Sequence, residues 1–190
     1  MRKVDEKTAI EVFRHYLYKK LGVWLDPRSS GPDFLYKGQA WEVKGSKLSK
    51  PDFIRMLGQL VRYGLEYGEV TIVLPVDALD TAKFLSFHFL ASCFWQITGK
   101  FLRVCLITRG PKGYYIREFY DGGSILSKLV ENYMKDYVRD QLQNVPETSA
   151  KVRICVEAFG KNVDEMLKTL LHAMVLTYPD AIVKFEEGSF

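Results

Sequence analysis

Three residues in the first third of the chain have types and spacing suited to phosphodiester hydrolysis. Asp33 follows Pro32, and Glu42 and Lys44 come after eight intervening residues, separated from each other by one valine. Hydrolysis of a phosphodiester needs hard oxygen ligands for Mg²⁺, a water molecule activated beside the ion, and positive charge near the phosphate. Two carboxylates and one amine can supply this set.

The strand that carries Glu42 and Lys44 brings both side chains to one face. Residues two apart on a strand project from the same face, about 6.6–6.8 Å apart along the chain. Val43 between them is expected to point into the core, and its backbone carbonyl is a further candidate Mg²⁺ ligand. Lys44 could orient the attacking water or neutralise the phosphate. Asp33, at the start of the neighbouring strand, could supply the second carboxylate.

The pattern of apolar and turn-forming residues predicts an alternating α/β order. We predict helices over residues 8–21, 51–67, 77–98, 124–142 and 163–174, and strands over 23–25, 33–36, 40–44, 70–74, 101–108, 114–120, 152–158 and 182–185. Residues 143–150 are the only linker-like stretch, so we expect a core over 1–142 and a small C-terminal βαβ subdomain over 150–190.

The net charge of +4 is unevenly distributed along the chain. Residues 1–62 hold 13 basic and 7 acidic side chains, whereas residues 63–190 hold 14 and 16. The basic excess therefore coincides with the segment that carries Asp33, Glu42 and Lys44. A bound Mg²⁺ would cancel the charge of two of its acids, which favours a polyanionic partner for this face.

The cysteines and the apolar segments exclude several classes of protein. Cys93, Cys105 and Cys155 are scattered singly, so the sequence indicates no structural zinc site, iron–sulfur cluster or disulfide framework. The charged start of the chain does not resemble a signal peptide, and the apolar run over 84–97 is too short to cross a bilayer. We expect a soluble cytoplasmic protein without a membrane partner.

The string Pro32–Asp33…Glu42–Val43–Lys44 resembles the signature of the PD-(D/E)xK nuclease superfamily, which includes restriction endonucleases, RecB-type nucleases and archaeal Holliday-junction resolvases. Glu11, on the helix before Gly22, is similar in placement to a metal-associated glutamate of the resolvases. The segment from Gln59 to Tyr63 resembles the Gln-xxx-Tyr motif of RecB-type members. The resemblance covers about residues 5–75.

The resemblance implies a restriction-endonuclease-like core, a mixed sheet of about four strands flanked by helices. It implies a Mg²⁺-dependent deoxyribonuclease, with Mn²⁺ as a substitute ion. The implied metal ligands are Asp33, Glu42, the Val43 carbonyl and Glu11, and the implied catalytic residues are Asp33, Glu42, Lys44 and Gln59. The expected contacts to the DNA backbone are Arg28, Ser30, Lys47, Lys50, Arg55 and Arg62.

Several alternatives remain open from the sequence. Asp33 could cap a turn, and Glu42 with Lys44 could form an exposed ion pair. Glu6 could take the role of Glu11, and Tyr63 could be an ordinary core aromatic. The His15, His88 and His172 side chains are widely separated and indicate no metal or catalytic pair.

The resemblance also leaves the biological role open. The substrate could be branched, duplex or single-stranded DNA, and cleavage could be internal or from an end. Helix 77–98 or the C-terminal subdomain could form a homodimer interface, which sedimentation would test. The main alternative to an enzyme is a non-catalytic nucleic-acid-binding subunit on the same fold.

Overall fold

The computed structural model describes residues 3–80, 83, 91, 93–120 and 161–184. Its helices are α1 (Glu6–Leu21), α2 (Lys50–Glu66) and α3 (Lys161–Thr177). Its strands are β1 (Phe34–Tyr36), β2 (Gln39–Val43), β3 (Glu69–Pro75), β4 (Leu102–Gly110), β5 (Gly113–Phe119) and β6 (Ala181–Val183). A 3₁₀ turn, Val76–Ala78, follows β3, and residues 93–98 are helical.

The six strands form one mixed sheet in the order β1-β2-β3-β4-β5-β6. β2, β3 and β4 are parallel, and the remaining neighbours are antiparallel. Helix α2 makes the crossover from β2 to β3, as a connection between adjacent parallel strands requires. The predicted α/β class is confirmed, and within the described residues the sheet has six strands rather than about four.

Helices cover both faces of the sheet, so strand residues alternate between two apolar cores. Helix α1 packs on the face that carries Trp41, Val43 and Val73. Helices α2 and α3 pack on the opposite face, which carries Ile72 and Leu74. Because successive strand residues point to opposite faces, Glu42 lies on the α2 face, between two residues of the α1 face.

Two predicted elements are absent from the places where we expected them. Residues 23–25 form no strand, because the Leu25 carbonyl accepts a hydrogen bond from the Arg14 side chain (2.9 Å) instead of joining the sheet. Asp77 does not open a helix. It lies in the 3₁₀ turn, whereas the Asp80 carboxylate accepts the Lys83 backbone N–H at 2.8 Å, the geometry of a helix N-cap.

The C-terminal residues that the structure describes belong to the same sheet. β6 pairs with β5 through Tyr115↔Ile182 and its neighbours. Helix α3 buries Leu167, Leu171 and Val175 in the core on the α2 face. The predicted helix 124–142, the predicted strand 152–158, His88 and Cys155 lie outside the described residues.

Cys105 is a buried free thiol in β4, as expected for a small apolar residue, and Cys93 is a half-buried free thiol. Burial raises the pKa of the Cys105 thiol well above its usual range. Cys105 is therefore a buried core residue and not a nucleophile.

Within the part of the chain that is described, no helix has the length and apolar character needed to cross a membrane.

Candidate active site

A tight hairpin places Asp33 beside the end of β2. The two-residue turn Lys37–Gly38 has φ values of 47° and 79°, and positive φ at both central residues is typical of the turn that joins twisted antiparallel strands. The register that follows sets Phe34 opposite Trp41. The Asp33 carboxylate then accepts a hydrogen bond from the Val43 backbone N–H, 2.7 Å from nitrogen to oxygen.

Glu42 and Lys44 form a buried ion pair rather than an exposed one. The Lys44 Nζ lies 2.7 Å from the Glu42 Oε1. Glu42 is only 3% exposed, and the Lys44 side chain retains 17% exposure. Because the desolvation of a buried carboxylate and ammonium can exceed the energy of their attraction, this pair is not explained by stability alone.

The three charged groups control one another's protonation. Burial raises the pKa of Glu42, and the charges of Asp33 and Glu6 raise it further, against the opposing effect of Lys44. Burial also raises the pKa of Asp33, although the Val43 N–H and Lys44 act to lower it. Desolvation acts to lower the pKa of Lys44, but the hydrogen bond and charge of Glu42 outweigh it and leave that pKa raised. Lys44 is therefore an ammonium donor at neutral pH, not a general base.

The oxygen atoms at this corner suit a hard cation. The Glu42 Oε2 is buried and has no hydrogen-bond partner among the described residues, an arrangement that costs about 1–3 kcal/mol if nothing binds there. Since the amide and carbonyl of one strand residue point to the same edge, the Val43 carbonyl also faces the Asp33 side. Mg²⁺ typically takes one or two carboxylates and keeps several waters, so this small donor set fits it.

The described residues add no larger ligand cluster to this set. Among residues 3–80, 83, 91, 93–120 and 161–184, no three His, Cys, Asp or Glu side chains are grouped so that they could hold a metal ion.

The first turn of α1 is attached to the end of β2, which decides which of its acids lies near the site. Val4 and Ser46 exchange two hydrogen bonds, from the Val4 N–H to the Ser46 Oγ (3.0 Å) and from the Ser46 N–H to the Val4 carbonyl (2.7 Å). Glu6 follows directly, and its charge raises the pKa of both Glu42 and Lys44. The structure thus favours Glu6, rather than Glu11, as the acidic residue of α1 that lies near the site.

Glu11 lies farther along α1 and faces another partner. Its carboxylate is 3.7 Å from the Arg14 guanidinium, which also binds the Leu25 carbonyl. Its metal-binding role, implied by the resemblance, stays a prediction.

Gly45, two residues after β2 ends, lies against the backbone of the first residue of α1. A Cβ at this position would lie 2.5 Å from the Glu6 backbone nitrogen. We expect Gly45→Ala to lower the free energy of unfolding by about 1–3 kcal/mol, because the helix start must move. Gly58→Ala on α2, where a Cβ would meet nothing within 4 Å, should instead raise it by about 0.5–1 kcal/mol. Urea denaturation of both variants measures the difference, and equal effects would contradict the close approach.

Helix α2 buries one tyrosine in the core on the face of the sheet that carries Glu42. Tyr63 is 1% exposed. Burial raises the pKa of its hydroxyl, as do the charges of Glu42 and Asp33, against the lowering effect of Arg62. It is thus a core aromatic whose hydroxyl is affected by the charges of the two carboxylates. Gln59 is half-buried and precedes Tyr63 by four residues, so it lies on the same side of α2, one turn nearer the helix start.

The residues expected to contact DNA are all exposed: Arg28, Ser30, Lys47, Lys50, Arg55 and Arg62. The Arg28 backbone N–H donates to the Asp33 carbonyl at 2.8 Å, so its loop is attached to the site. Arg55 and Arg62 form exposed ion pairs on α2 with Asp52 and Glu66, at 3.7 and 3.6 Å. Such pairs are weak and exchangeable, so these side chains can turn to a phosphate.

A second polar cluster, which the sequence analysis missed, lies where β3 and β4 end. The His172 ring on α3 contacts the Thr108 hydroxyl through Nδ1 and the Asp77 carboxylate through Nε2, the latter at 3.2 Å. The order hydroxyl–imidazole–carboxylate is that of a nucleophilic triad. Thr108 is only 1% exposed, however, so a substrate has no access to its hydroxyl, and the cluster anchors α3 to the sheet. Its members are too distant in sequence for any local motif.

Comparison with known proteins gives no relative from which a role could be transferred. No family model matches the chain, and neither the curated proteins nor the solved structures contain a match to it. The function must therefore be inferred from the geometry of the site itself.

Proposed function

We propose that the protein is a Mg²⁺-dependent deoxyribonuclease with a site of the PD-(D/E)xK type. The observation that carries this proposal is the buried Glu42–Lys44 pair, held beside Asp33 at the corner where β1 begins and β2 ends. The order α1, β1–β2 hairpin, α2 and parallel β3 is similar to the restriction-endonuclease-like core. A solvated ion pair on an ordinary strand would need neither this burial nor a second carboxylate.

Each residue of the site would have a separate role in hydrolysis. Asp33, Glu42 and the Val43 carbonyl would hold the ion, with Glu6 as the nearby helical acid. When bound, Mg²⁺ would polarise a phosphoryl oxygen and lower the pKa of a coordinated water. Lys44, an ammonium fixed on Glu42, would donate a hydrogen bond to the attacking water or to a non-bridging phosphate oxygen. Gln59 would support that water from α2.

The surface around the site supports a DNA substrate. The exposed cations lie on the loop before Asp33, on the segment after Lys44 and on the outer face of α2, so they border the acids on both sides in sequence. Positive charge of this kind binds the phosphate backbone without reading its sequence. A branched or structured DNA is our preferred substrate, since the part of the chain from Glu11 to Ser30 resembles the resolvases.

Neutralising the exposed lysines beside the site should weaken binding through electrostatics alone. We expect Lys47→Gln and Lys50→Gln each to reduce the steepness of log affinity against log salt by about 0.9, the contribution of one phosphate contact. Lys37→Gln, at the opposite end of β1 from Asp33, is the matched control and should leave the slope unchanged. Fluorescence anisotropy over a salt series measures this. Identical slopes for all three variants would mean that Lys47 and Lys50 do not contact the DNA backbone.

The activity itself is tested with supercoiled plasmid, linear duplex and four-way-junction DNA. We expect cleavage in Mg²⁺ or Mn²⁺ and none in EDTA, with the relative rates defining the preferred substrate. Salt-dependent binding without cleavage under any of these conditions would instead support the non-catalytic binding subunit. Failure both to bind and to cut would eliminate both functions.

A further inference from the structure

An aromatic cluster that the proposed nuclease site does not use lies on the outer face of α1. The helix ends at Gly22, whose left-handed backbone (φ 70°) reverses the chain, and the Trp24 ring packs back against the helix. The His15 and Tyr18 ring centres lie 5.0 and 5.5 Å from that of the indole. These two residues are one turn apart, and the buried residues of α1 fall on its other side. The indole therefore lies on the face that is turned away from the sheet.

The cluster leaves much of its aromatic surface in contact with solvent. Trp24 is 43% exposed and Tyr18 is 50% exposed, whereas Trp41 in the core is only 2% exposed. Exposed apolar surface formed by adjacent residues is typical of binding sites. The flat face of an aromatic ring suits another flat ring, such as a nucleobase, and every base can stack on it.

The indole is held in a fixed orientation by Arg14. The carbon of the Arg14 guanidinium lies 4.5 Å from the Trp24 ring centre. The same guanidinium donates from Nε to the Leu25 carbonyl at 2.9 Å and pairs with the Asp26 carboxylate. The two neighbouring rings meet the indole at 83° and 71° rather than lying parallel to it. Because the ring is already ordered, a ligand that stacks on it loses less free energy to ordering the side chain.

The loop that carries Trp24 continues to the first carboxylate of the proposed site. Arg28 follows Trp24 by four residues, and its backbone N–H donates to the Asp33 carbonyl at 2.8 Å. Its guanidinium lies beside Gly31, where a Cβ would be 3.6 Å from the Arg28 Nη1. An exposed cation that can bind a phosphate therefore stands between the aromatic cluster and Asp33 along the chain.

Helix α1 sets the distance between the cluster and the site. Its first residue, Glu6, lies against Gly45, which follows Lys44 directly. His15 comes nine residues later, so the two ends are separated by about 13–14 Å along the helix axis. One strand of DNA carries a phosphate about every 3.4 Å. The separation therefore corresponds to about four nucleotides.

We propose that Trp24, with Tyr18 and Arg14 around it, is a stacking site for an unpaired base of the DNA substrate, about four nucleotides from the scissile phosphate. The inference rests on the proposed nuclease function and specifies its substrate, a DNA with a single-stranded part beside the cut. A base inside a duplex is already stacked on its neighbours and must be unpaired before it can reach the indole. Loss of one such stacking contact lowers affinity by about 5–150-fold.

The first test measures binding in EDTA, so that it depends neither on catalysis nor on bound metal. Fluorescence anisotropy compares labelled oligothymidine with a duplex of the same length. We expect Trp24→Ala to lose about 5–150-fold in affinity for the single strand and to keep its affinity for the duplex within about twofold, since the cations that bind the backbone are unchanged. Unchanged affinity for both forms, or an equal loss for both, would overturn the proposal.

Three further variants separate stacking from folding and from general apolar contact. Trp95→Ala is the matched control, because Trp95 is 51% exposed and belongs to the helical segment that packs against α2 at Gly64. It should bind both DNA forms as the wild type does. Trp24→Phe retains a ring and should keep most of the affinity for the single strand, whereas Trp24→Leu retains only apolar packing and should lose it. Equal binding by the Phe and Leu variants would show that the indole only packs against the helix.

An abasic-nucleotide scan locates the stacked base. One abasic nucleotide is moved along the single-stranded arm of a substrate whose cut position has been mapped in Mg²⁺. We expect the wild type to bind most weakly when the abasic position is about four nucleotides from the cut, and Trp24→Ala to be insensitive there. The same position dependence in both proteins would contradict a base on Trp24.

The two proposals fail in different ways. A wild-type protein that loses single-strand affinity in Trp24→Ala but never cuts DNA would reject the nuclease and retain the stacking site in a non-catalytic binding subunit. An active enzyme whose Trp24→Ala variant binds single-stranded DNA as tightly as the wild type would reject the stacking site alone.

Discussion

Asp33→Asn is expected to abolish DNA cleavage while making the protein more stable. Loss of one charged metal ligand should lower kcat by at least about a thousandfold, as for other residues that act as part of a catalytic unit. The asparagine oxygen can still accept the Val43 N–H, a bond that measures 2.7 Å in the wild type, so the hairpin keeps its shape. DNA binding should remain within about threefold, because the exposed cations that provide most of it are unchanged.

The gain in stability follows from the sign of the pKa shift. Burial raises the folded-state pKa of Asp33 above its usual 3.8, so the ionised form is less favourable in the fold than in the unfolded chain. The free energy of unfolding of the wild type therefore decreases as pH rises from about 4 through the folded-state pKa of Asp33, because the buried carboxylate becomes ionised. Asparagine has no charge to desolvate, and we expect about 0.5–1 kcal/mol more stability at pH 8, which disappears near pH 3.

Urea denaturation in EDTA at pH 8 and pH 3 measures this difference without stabilisation by bound metal. Asp52→Asn, an exposed acid in the first turn of α2, is the matched control. It should retain cleavage within about twofold and lose a few tenths of a kcal/mol through the helix dipole. An Asp33→Asn variant that is both active and less stable would show that Asp33 only caps the hairpin.

Lys44→Met is expected to abolish cleavage and, unlike Asp33→Asn, to destabilise the fold. Methionine retains the aliphatic packing but removes the ammonium, so the transition state loses a donor that is worth about 100–1,000-fold in kcat. The Glu42 carboxylate then loses its partner at 2.7 Å. Removing one member of a fully buried pair costs about 3–5 kcal/mol. We expect about 1–3 kcal/mol here, because the Lys44 side chain is 17% exposed and water can reach it.

The pKa of Glu42 determines whether the stability of Lys44→Met rises or falls with pH. Lys44 lowers the pKa of Glu42 against the stronger effect of burial, so its removal raises that pKa further above the usual 4.5. A raised folded-state pKa makes stability fall as pH rises. The deficit of Lys44→Met should therefore be small near pH 4 and largest at pH 8, and its slope should exceed that of the wild type.

A double-mutant cycle separates the pair from its neighbours. Glu42→Gln combined with Lys44→Met leaves no buried charge, so we expect it to be more stable than Lys44→Met alone at pH 8 and still inactive. A double variant that is less stable than both single variants would mean that the pair does not interact as its geometry indicates. Cleavage by Lys44→Met within about tenfold of wild type would contradict the role assigned to the lysine.

The sequence pattern was sufficient to predict those features that depend on interactions between residues close together in the chain. The positions of Asp33, Glu42 and Lys44 follow from a two-residue turn and the two-residue period of a strand, and the β4–β5 hairpin follows in the same way from Gly110–Gly113. Helix α2 begins one residue before the Pro51 that predicts it, after the Ser49 cap. These features depend on interactions within a few residues of each other, which composition and spacing encode.

Only the tertiary structure decided what surrounds these residues. It buries the Glu42–Lys44 pair because α2 covers that face, and it favours Glu6 over Glu11 because Val4 binds Ser46, 42 residues away. It also joins His172 to Asp77 across 95 residues and buries Tyr63 in the core on the face that carries Glu42. The packing of distant segments has no local signature, since each contact depends on all the others. The sequence by itself thus determined which groups are available for chemistry, and the fold decided which of them share one desolvated corner and with what charge.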